Sequence, residues 1–488
     1  MIECPFYVGR QRAALWAAVL AMGCGRWGFD SMPNEGGIAA DDDADGEPLA
    51  ELVCPTGGCE ISNGFVKTMG SDGIDYGFAL ASDADSIYLT GFFTGASQDF
   101  GGGPVDGPGI HDAMVVRYDH DGQHRFSRRL GGPEFNEGFG VAIGPGGLVH
   151  TTGHFQGDVD FGGGPRPVYG DQDVYLVGLD SWGEHVYSVT IGGADEEEGR
   201  AVAVDQRGNA YFVGWFFDEA WLLDDNHVSQ GDRDVFVISL DADGNHRWTT
   251  AYGGTGSDAA RGIAVIGDQV VVCGTHEGPM QLGEHDIDHV AGEDGHLVAL
   301  DKDTGAMRWH QTVADKGDEG VVRVTATGDG NLVATVYFDG QLEMGTKLHD
   351  SAGNEDAMLV KLTPDGTVLW SRAIGGAGRD RLISVATGAN GEIAATGISS
   401  GDIDFGRSTL GNAGDLDGLV VVVDGDGNEL WGTTFGGSEL DEGQGVTVDA
   451  HGRIHVTGCF RGTARFGPDQ VTARGSCDTF LVRLDPEY

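Results

Sequence analysis

Seven polar side chains recur at a constant interval of 61 residues, each just before a short apolar run. They are Asp75, Asn136, Glu197, Asp258, Glu319, Asp380 and Asp441. If they converge on one axis, six carboxylates and one amide could form a negative channel mouth that holds a hard cation such as calcium. The alternative is that these side chains only accept hydrogen bonds from backbone N–H groups in turns, which Asp and Asn commonly do.

Two other patterns resemble functional motifs but are better explained as structural features. The D-x-D-G segments 119–122, 241–244 and 424–427 resemble half a calcium loop, yet they lack the downstream Glu and fit hairpin turns better. Segment 397–401 matches the G-x-S-x-G nucleophile elbow, but no helix is predicted after it. We therefore predict no catalytic residue.

A 61-residue repeat governs the chain from residue 62 onward. One repeated position is always aromatic: Phe65, Phe126, Tyr187, Trp248, Trp309, Trp370 and Trp431. An Asp opens another repeated segment: Asp112, Asp173, Asp234, Asp294, Asp356, Asp417 and Asp478. Each repeat contains four short runs rich in β-branched or aromatic residues and bounded by Gly, Asp or Asn, which predicts four strands.

Four short strands repeated seven times predict an all-β fold, a seven-bladed β-propeller of four-stranded antiparallel blades. The chain enters with a lone fourth strand, residues 63–69, and leaves after a third strand. We expect the N-terminal strand to complete the last blade and close the ring, which removes exposed sheet edges. Loops between strands two and three and between blades should share one face, where ligands are expected to bind.

The repeat also resembles a known family. The segments 199–209, 152–155, 234–241 and 248–254 follow the patterns GxxVAVDxxGN, TGxF, DxFVVxLD and WxxxxGG. These are similar to the bacterial seven-bladed β-propeller repeats often called SBBP repeats. The resemblance covers residues 62–488 and implies an exported or surface protein without a defined catalytic centre.

The charge of the chain limits its partners. The formal net charge is −48, which argues against nucleic acid and against docking of the folded body on an anionic membrane. We expect a monomer that binds a protein or glycan partner and needs no cofactor, with calcium as the ion to consider.

The N-terminal segment predicts export. Residues 1–24 combine Arg10 and Arg12 with a short apolar run and end at Cys24 in a lipobox-like sequence. We predict a signal peptide and lipidation of Cys24, so that the lipid is the sole membrane attachment of an outer-membrane or cell-surface lipoprotein. Ordinary signal cleavage or a buried apolar segment are the alternatives. Residues 25–61 are predicted to be an acidic flexible linker, and residues 62–488 the propeller.

Cysteine positions agree with an oxidising compartment. Cys54 and Cys59 bracket a short loop, whereas Cys459 ends a predicted strand and Cys477 starts the next. These four are disulfide candidates and leave Cys273 free in a strand. Reduced, buried cysteines are the alternative.

These observations favour a non-enzymatic binding or scaffold platform that acts through the loop-rich face. A quinoprotein-like dehydrogenase is one alternative, because residues 299–309 resemble the A-x-D-x-x-T-G-x-x-x-W repeat of pyrroloquinoline quinone propellers. Those enzymes resemble eight-bladed rings with an adjacent cysteine pair, and this chain has neither feature. A calcium-stabilised adhesin that uses the acidic ring is the other alternative.

Overall fold

Four classes of strand recur along the chain, in the order that the repeat predicts. The computed structural model describes residues 61–223 and 225–486, so Cys24, Cys54, Cys59, the signal peptide and nearly all of the predicted linker lie outside the described residues. The first strands are Tyr76–Ser82, Asn136–Ile143, Glu197–Val204, Asp258–Ile266, Glu319–Ala326, Asp380–Thr387 and Glu442–Val448. The second strands are Ser86–Phe93, Val149–Phe155, Ala210–Trp221, Gln269–His276, Leu332–Phe338, Ile393–Ser399 and Ile454–Phe460.

The third and fourth strands are joined by the Asp/Gly turns. The third strands are Asp112–Asp119, Asp173–Leu179, Asn226–Leu240, Asp294–Asp301, Asp356–Leu362, Asp417–Val423 and Asp478–Pro486. The fourth strands are His124–Leu130, His185–Gly193, His246–Gly254, Met307–Val313, Val368–Gly376 and Glu429–Gly437. Neighbouring strands pair antiparallel in the order first, second, third, fourth.

Burial explains why the second and third strands are continuous apolar runs. Every residue of Asp173–Leu179 and of Ile393–Ser399 is buried, because neighbouring sheets cover both faces of these strands. The core is therefore divided into clusters between adjacent sheets. One such cluster joins Val115 and Phe126 of one repeat to Val141 and Tyr175 of the next.

The first strands of successive repeats lie side by side and form a closed circle. A methyl group built on Gly140 would lie 3.0 Å from the Cα atom of Ala201 in the next repeat. One built on Gly445 in the last repeat would lie 3.0 Å from the Cα atom of Ala79 in the first. The fold is a β-propeller, as predicted.

The N-terminal strand completes the last repeat, which confirms the prediction for residues 63–69. Ile61–Met69 pairs antiparallel with Asp478–Pro486, and Val66 lies opposite Val482. This strand occupies the place that a fourth strand holds in the other repeats. The two ends of the described chain are thereby joined in one sheet.

The prediction of a seven-bladed β-propeller with four-stranded antiparallel blades is wrong. Within residues 61–223 and 225–486, hydrogen bonds produce six sheets of four or more strands: three with four strands, two with six and one with ten. The reason is a small hairpin between the second and third strands, which the sequence pattern did not reveal. In the third repeat this hairpin continues Ala210–Trp221 and Asn226–Leu240, and it pairs with the end of His185–Gly193, which fuses the second and third repeats into the ten-stranded sheet.

The extra hairpins are short and recur in the other repeats. Their strands are Ser97–Asp99 and Pro104–Asp106, Val159–Asp160 and Pro165–Arg166, Met280–Leu282 and His285–Ile287, Gln341–Met344 and Lys347–Asp350, Ile403–Asp404 and Thr409–Leu410, and Thr463–Phe466 and Asp469–Thr472. Several pair with the Gly-Gly end of the preceding fourth strand, as Gly436 and Gly437 do with Arg465 and Ala464. A 3-10 turn, Pro145–Gly147, is also present.

The repeated aromatic residue packs on the turn of the next repeat. A methyl group on Gly183 would lie 2.7 Å from the ring of Phe126, and one on Gly366 would lie 3.2 Å from the ring of Trp309. Both glycines have positive φ, 78° and 86°. The tryptophan indole also donates a hydrogen bond to the neighbouring turn, 2.9 Å from Trp309 Nε1 to the Pro364 carbonyl. The repeated aromatic residue is therefore explained by its contact with the next repeat.

One predicted disulfide is present. Cys459 and Cys477 are bonded with a Cα–Cα distance of 5.8 Å, and they join the second and third strands of the last repeat. Cys273 is free and buried, as predicted. Among the residues that the structure describes, no helix has the length and apolar character needed to cross a membrane.

Candidate binding site at the loop-rich mouth of the axis

The start of each first strand lies beside the start of the preceding third strand. Parallel bridges join His111 to Phe135, Gln172 to Glu196, Arg233 to Ser257, Glu355 to Arg379, Leu416 to Leu440, and Ile74 to Cys477. These bridges hold the loops between repeats next to the loops between second and third strands. The two sets of loops share one face, as predicted.

The seven predicted ring residues are at these bridges and are buried. The exposed fraction of each is 0 or 1 %. Most accept a hydrogen bond from the backbone N–H of the residue four positions earlier: 2.8 Å from Gly193 to Glu197, 2.7 Å from Gly376 to Asp380 and 2.7 Å from Gly437 to Asp441. The contacts match the turn-capping alternative. A role of this set in holding calcium on the axis stays a prediction.

Burial changes the acidity of these carboxyl groups. It raises the pKa of Glu197 to about 9 and the pKa of Asp258 and Asp441 to about 7, against the opposing effect of the N–H groups that they accept. Asn136 differs from the others because its amide donates to the carbonyls of Glu134 and His111, at 2.9 and 3.1 Å.

A different set of side chains lies near the start of the first strands. Each first strand contains a β-bulge near its start, which adds one unpaired residue and re-aims its side chain. The bulged residues are Phe78, Phe139, Arg200, Arg261, Val322, Ile383 and Gln444. The position two residues earlier holds Tyr76, Glu137, Glu198, Ala259, Gly320, Arg381 and Glu442. We call these fourteen residues the collar.

One side of the collar is aromatic. The rings of Tyr76 and Phe78 lie 4.7 Å apart, and Phe78 lies 4.8 Å from Phe139 of the next repeat. The guanidinium of Arg200 lies 4.7 Å from the Phe139 ring and donates to Glu198 at 2.7 Å. Cation–π contact and ion pairing thus order Arg200 at the end of the aromatic row.

Two collar residues, Arg261 and Arg381, belong to a charged network with residues outside the collar. Arg261 lies 3.5 Å from Glu293, and Glu293 accepts a 2.5 Å hydrogen bond from Tyr337. The guanidinium of Arg381 stacks 3.7 Å from the centre of the Tyr337 ring and donates to Glu355 at 2.7 Å. The network alternates basic, acidic and aromatic groups between neighbouring repeats.

Two arginines in this region lie next to each other. Arg323 donates to the carbonyl oxygen of Arg261, and burial together with the nearby charge of Arg200 lowers its pKa to about 10. Nε of Arg261 is buried and has no hydrogen-bond partner among the described residues. The Nε–H group of Arg261 is therefore a donor that a ligand could engage.

The collar contains groups that can bind a polar ligand. It presents aromatic faces, guanidinium donors and carboxylate acceptors, which recognise polar organic groups. Its one hydroxyl group, that of Tyr76, donates a hydrogen bond to Glu442. The nearby imidazole of His111 is held by Glu137 at 2.7 Å and stacks on Phe92 at 4.2 Å.

A polar cavity of about 620 Å³ is also present on the loop-rich face. Residues 70–73, 94–99, Pro104 and Arg474 line it. It lies where the first and last repeats meet, beside Asp75, whose carboxylate accepts hydrogen bonds from Ser71 and Thr94 at 2.6 and 2.9 Å. The cavity adds a second concave surface near the collar.

One histidine cluster has the spacing of metal ligands. Ligand atoms of His120, Asp449 and His451 lie within 4.8 Å of one another. However, Asp449 Oδ2 accepts 2.7 Å from Nε of Arg453 and 3.1 Å from Nε2 of His455. The carboxylate is already neutralised by Arg453, so this group fits an ion-paired turn between the last and first repeats.

The G-x-S-x-G, D-x-D-G and quinoprotein-like segments use their polar side chains in local hydrogen bonds. Ser399 Oγ donates 2.6 Å to the Gly401 carbonyl, and a hairpin strand, Ile403–Asp404, follows it. Asp241 Oδ1 accepts backbone N–H groups from Asp243 and Asn245 at 3.0 and 2.9 Å. In the quinoprotein-like segment, Asp301 accepts from Thr304 at 3.0 Å within the turn. Each is a turn, and each uses its polar groups internally.

Sequence reasoning missed the collar. Its residues lie one and three positions after the predicted ring, where the seven repeats differ most in charge and size. A repeated scaffold with variable residues at one repeated position is the signal that could have located it.

Comparison with known proteins establishes no family. No family profile matches the chain. Regulatory protein FlaEY of Caulobacter vibrioides is 28% identical over 160 residues, which is 32% of this chain and 17% of that protein. The chain thus spans less than a fifth of that relative's length, and membership of the SBBP repeat family stays a prediction.

Several solved structures resemble this chain at low similarity. BamB from Moraxella catarrhalis is 13% identical with a TM-score of 0.40, covering 86% of this chain and 99% of that one. A europium-containing methanol dehydrogenase is 9% identical with a TM-score of 0.39, covering 87% and 93%. Puromycin hydrolase is 15% identical with a TM-score of 0.43, covering 81% and 54%. These likenesses carry no functional argument.

Proposed function

We propose that this protein is a non-enzymatic binding platform that engages a protein or glycan partner at the collar. The observation that carries the proposal is the loss of repeat symmetry there. The seven bulge positions hold two Phe, two Arg, one Val, one Ile and one Gln, although the surrounding scaffold repeats closely. Packing alone would be satisfied by one residue type repeated seven times, so the variation favours recognition of an asymmetric partner.

The proposal includes export and a lipid anchor at Cys24, with the propeller displayed at the cell surface as a monomer. Support comes from the signal-like N-terminal sequence and from the Cys459–Cys477 disulfide, since disulfides persist mainly in oxidising compartments. The quinoprotein alternative is not favoured, because its motif residues form a hairpin turn.

The test is binding by collar variants. The full mature chain is immobilised and probed with a glycan array and with proteins from the cell surface. Arg200→Ser combined with Arg261→Ser should weaken capture by tenfold or more, because about 1–3 kcal/mol is expected for a buried charged contact. Arg207→Ser is the matched control, since its side chain is 70% exposed in a turn at the other end of the first strand.

Retention of binding in the double variant would contradict the collar as the site. Array binding with no protein capture would identify the partner as a glycan, and the reverse would identify a protein. Substrate turnover that depends on the collar arginines would contradict a non-enzymatic role.

A further inference from the structure

At four junctions between repeats, the ring carboxylate has a second buried carboxylate near it that does not belong to the predicted ring. The partner is the Asp that opens the preceding third strand. The negative charge of this Asp helps to raise the pKa of the ring carboxyl group in four pairs: Asp173 with Glu197, Asp234 with Asp258, Asp294 with Glu319, and Asp356 with Asp380. The exposed fraction of all eight side chains is 3 % or less.

Each carboxylate of these pairs uses only one of its oxygens. In the second junction, Asp258 Oδ2 accepts from the Gly254 N–H at 2.6 Å, and Asp234 Oδ2 accepts from the Gln230 N–H at 3.1 Å. The remaining oxygens, Oδ1 of both, are buried and have no hydrogen-bond partner among the described residues. The same holds for the second oxygens of the other three pairs.

At the Asp173–Glu197 junction, the unused oxygens lie beside the Gly-Gly dipeptide that ends the fourth strand His185–Gly193. A methyl group on Gly192 would lie 2.2 Å from Asp173 Oδ1, and one on Gly193 would lie 3.1 Å from Glu197 Oε1. The glycines thus leave room for both carboxylates to approach the same peptide. Two buried anions without counter-charge are costly unless a cation or proton neutralises them.

Another junction shows the same position neutralised by a side chain. There Asn136 replaces the ring carboxylate, and Asp112 accepts a 2.9 Å hydrogen bond from Arg129. The charge of Asp112 is therefore balanced by an arginine where the second carboxylate is missing.

We propose that four junctions each bind one hard divalent cation, for which calcium is the best fit, between the third-strand Asp of one repeat and the first-strand Asp or Glu of the next. The ligands are the unused carboxylate oxygens, and water or backbone carbonyl oxygens must complete the six to eight that calcium takes. This differs from a single ion held by the ring on the axis. The cations would cross-link neighbouring repeats and so stabilise the circle.

The test measures calcium stoichiometry on the full chain after removal of metal with a chelator. Equilibrium dialysis at physiological ionic strength with excess magnesium should give four bound calcium ions, and thermal unfolding should shift upward by several degrees with calcium. Asp258→Asn should reduce the stoichiometry to three. Asp112→Asn, at the junction with Asn136, is the matched control and should leave four.

Absence of bound calcium in the parent chain would overturn the proposal and assign the pairs to a shared proton. Equal stoichiometry in Asp258→Asn and the parent would also overturn it. A loss of calcium in Asp241→Asn would move the ions to the D-x-D-G turns and contradict the junction sites. If Asp258→Asn does not fold, Glu197→Gln provides the same comparison at another junction.

Discussion

At the scale of single residues, close approach decides which side chains the repeat tolerates. Gly376 ends a fourth strand and pairs with the extra hairpin through Ile403. A methyl group there would lie 1.9 Å from the Asp402 carbonyl oxygen, which no real contact permits. The second glycine of the repeated Gly-Gly is therefore required by the neighbouring backbone.

We predict that Gly376→Ala lowers the free energy of unfolding by about 1–3 kcal/mol, because the backbone of the hairpin must move. Gly328→Ala is the control, since a methyl group there meets no atom within 4 Å. It should change stability by less than about 0.5 kcal/mol. Chemical denaturation of both variants provides the measurement, and equal effects would contradict the contact.

A buried histidine makes stability depend on pH. His150 is fully buried, and its Nδ1 atom lies 2.7 Å from the Tyr187 hydroxyl. Burial lowers the pKa of His150 from 6.5 to about 4, because the charged form loses its hydration. Between these two pH values, His150 is protonated in the unfolded chain but not in the folded chain.

The stabilisation that neutral His150 provides is therefore fully present above pH 6.5 and is lost as the pH falls towards 4. We predict that His150→Gln removes this loss, up to about 3 kcal/mol between pH 7 and pH 4. Unfolding measured as a function of pH for parent and variant tests it. As a control, His285→Gln at an exposed position should not change the dependence of the unfolding free energy on pH. If His150→Gln shows the same dependence on pH as the parent chain, the prediction is contradicted.

At the scale of elements, neighbouring repeats are held together by contacts between their strands and turns. The repeated aromatic of one fourth strand covers the turn glycine of the next repeat, and the hairpins extend one sheet towards another. The last repeat is held differently, because Cys459 and Cys477 join its second and third strands covalently. That repeat contains the joint between the two chain ends.

We predict that Cys459→Ala combined with Cys477→Ala lowers the free energy of unfolding by about 2–4 kcal/mol, as expected for loss of one disulfide loop. Thermal unfolding of the parent should also become sensitive to a reductant. The double variant itself should not respond to the reductant, which is the internal control. An unchanged transition in both experiments would refute the stabilising role.

At the scale of the whole molecule, closure of the circle depends on a strand from the other end of the chain. Ile61–Met69 covers the outer edge of Asp478–Pro486. Without it, that strand would present unpaired backbone groups, which destabilise the sheet and invite association.

We predict that removal of residues 1–69 destabilises the last repeat and promotes aggregation. Removal of residues 1–60 is the matched control, because it keeps the whole strand. Hydrogen exchange of the segment Asp478–Pro486 and light scattering provide the two readouts. Equal protection in both truncated chains would show that closure does not depend on this strand.

The repeat could be read from the chain because its causes are local. Strand positions, the turns at Asp241 and Asp424, the free Cys273 and the pairing of residues 63–69 follow from side-chain alternation, turn chemistry and the order of strand types. The collar was not located from the sequence. The ring residues were found, but their burial and their Asp partners were not.

The sequence by itself determined the period, the strand types and the way the ends meet, since each depends on short-range patterns. Tertiary structure alone decided the number of continuous sheets, the pairing of Asp234 with Asp258 across a junction, and the collar around Arg200 and Arg261. These depend on which residues of different repeats come within contact distance, and a one-residue bulge changes where a side chain points.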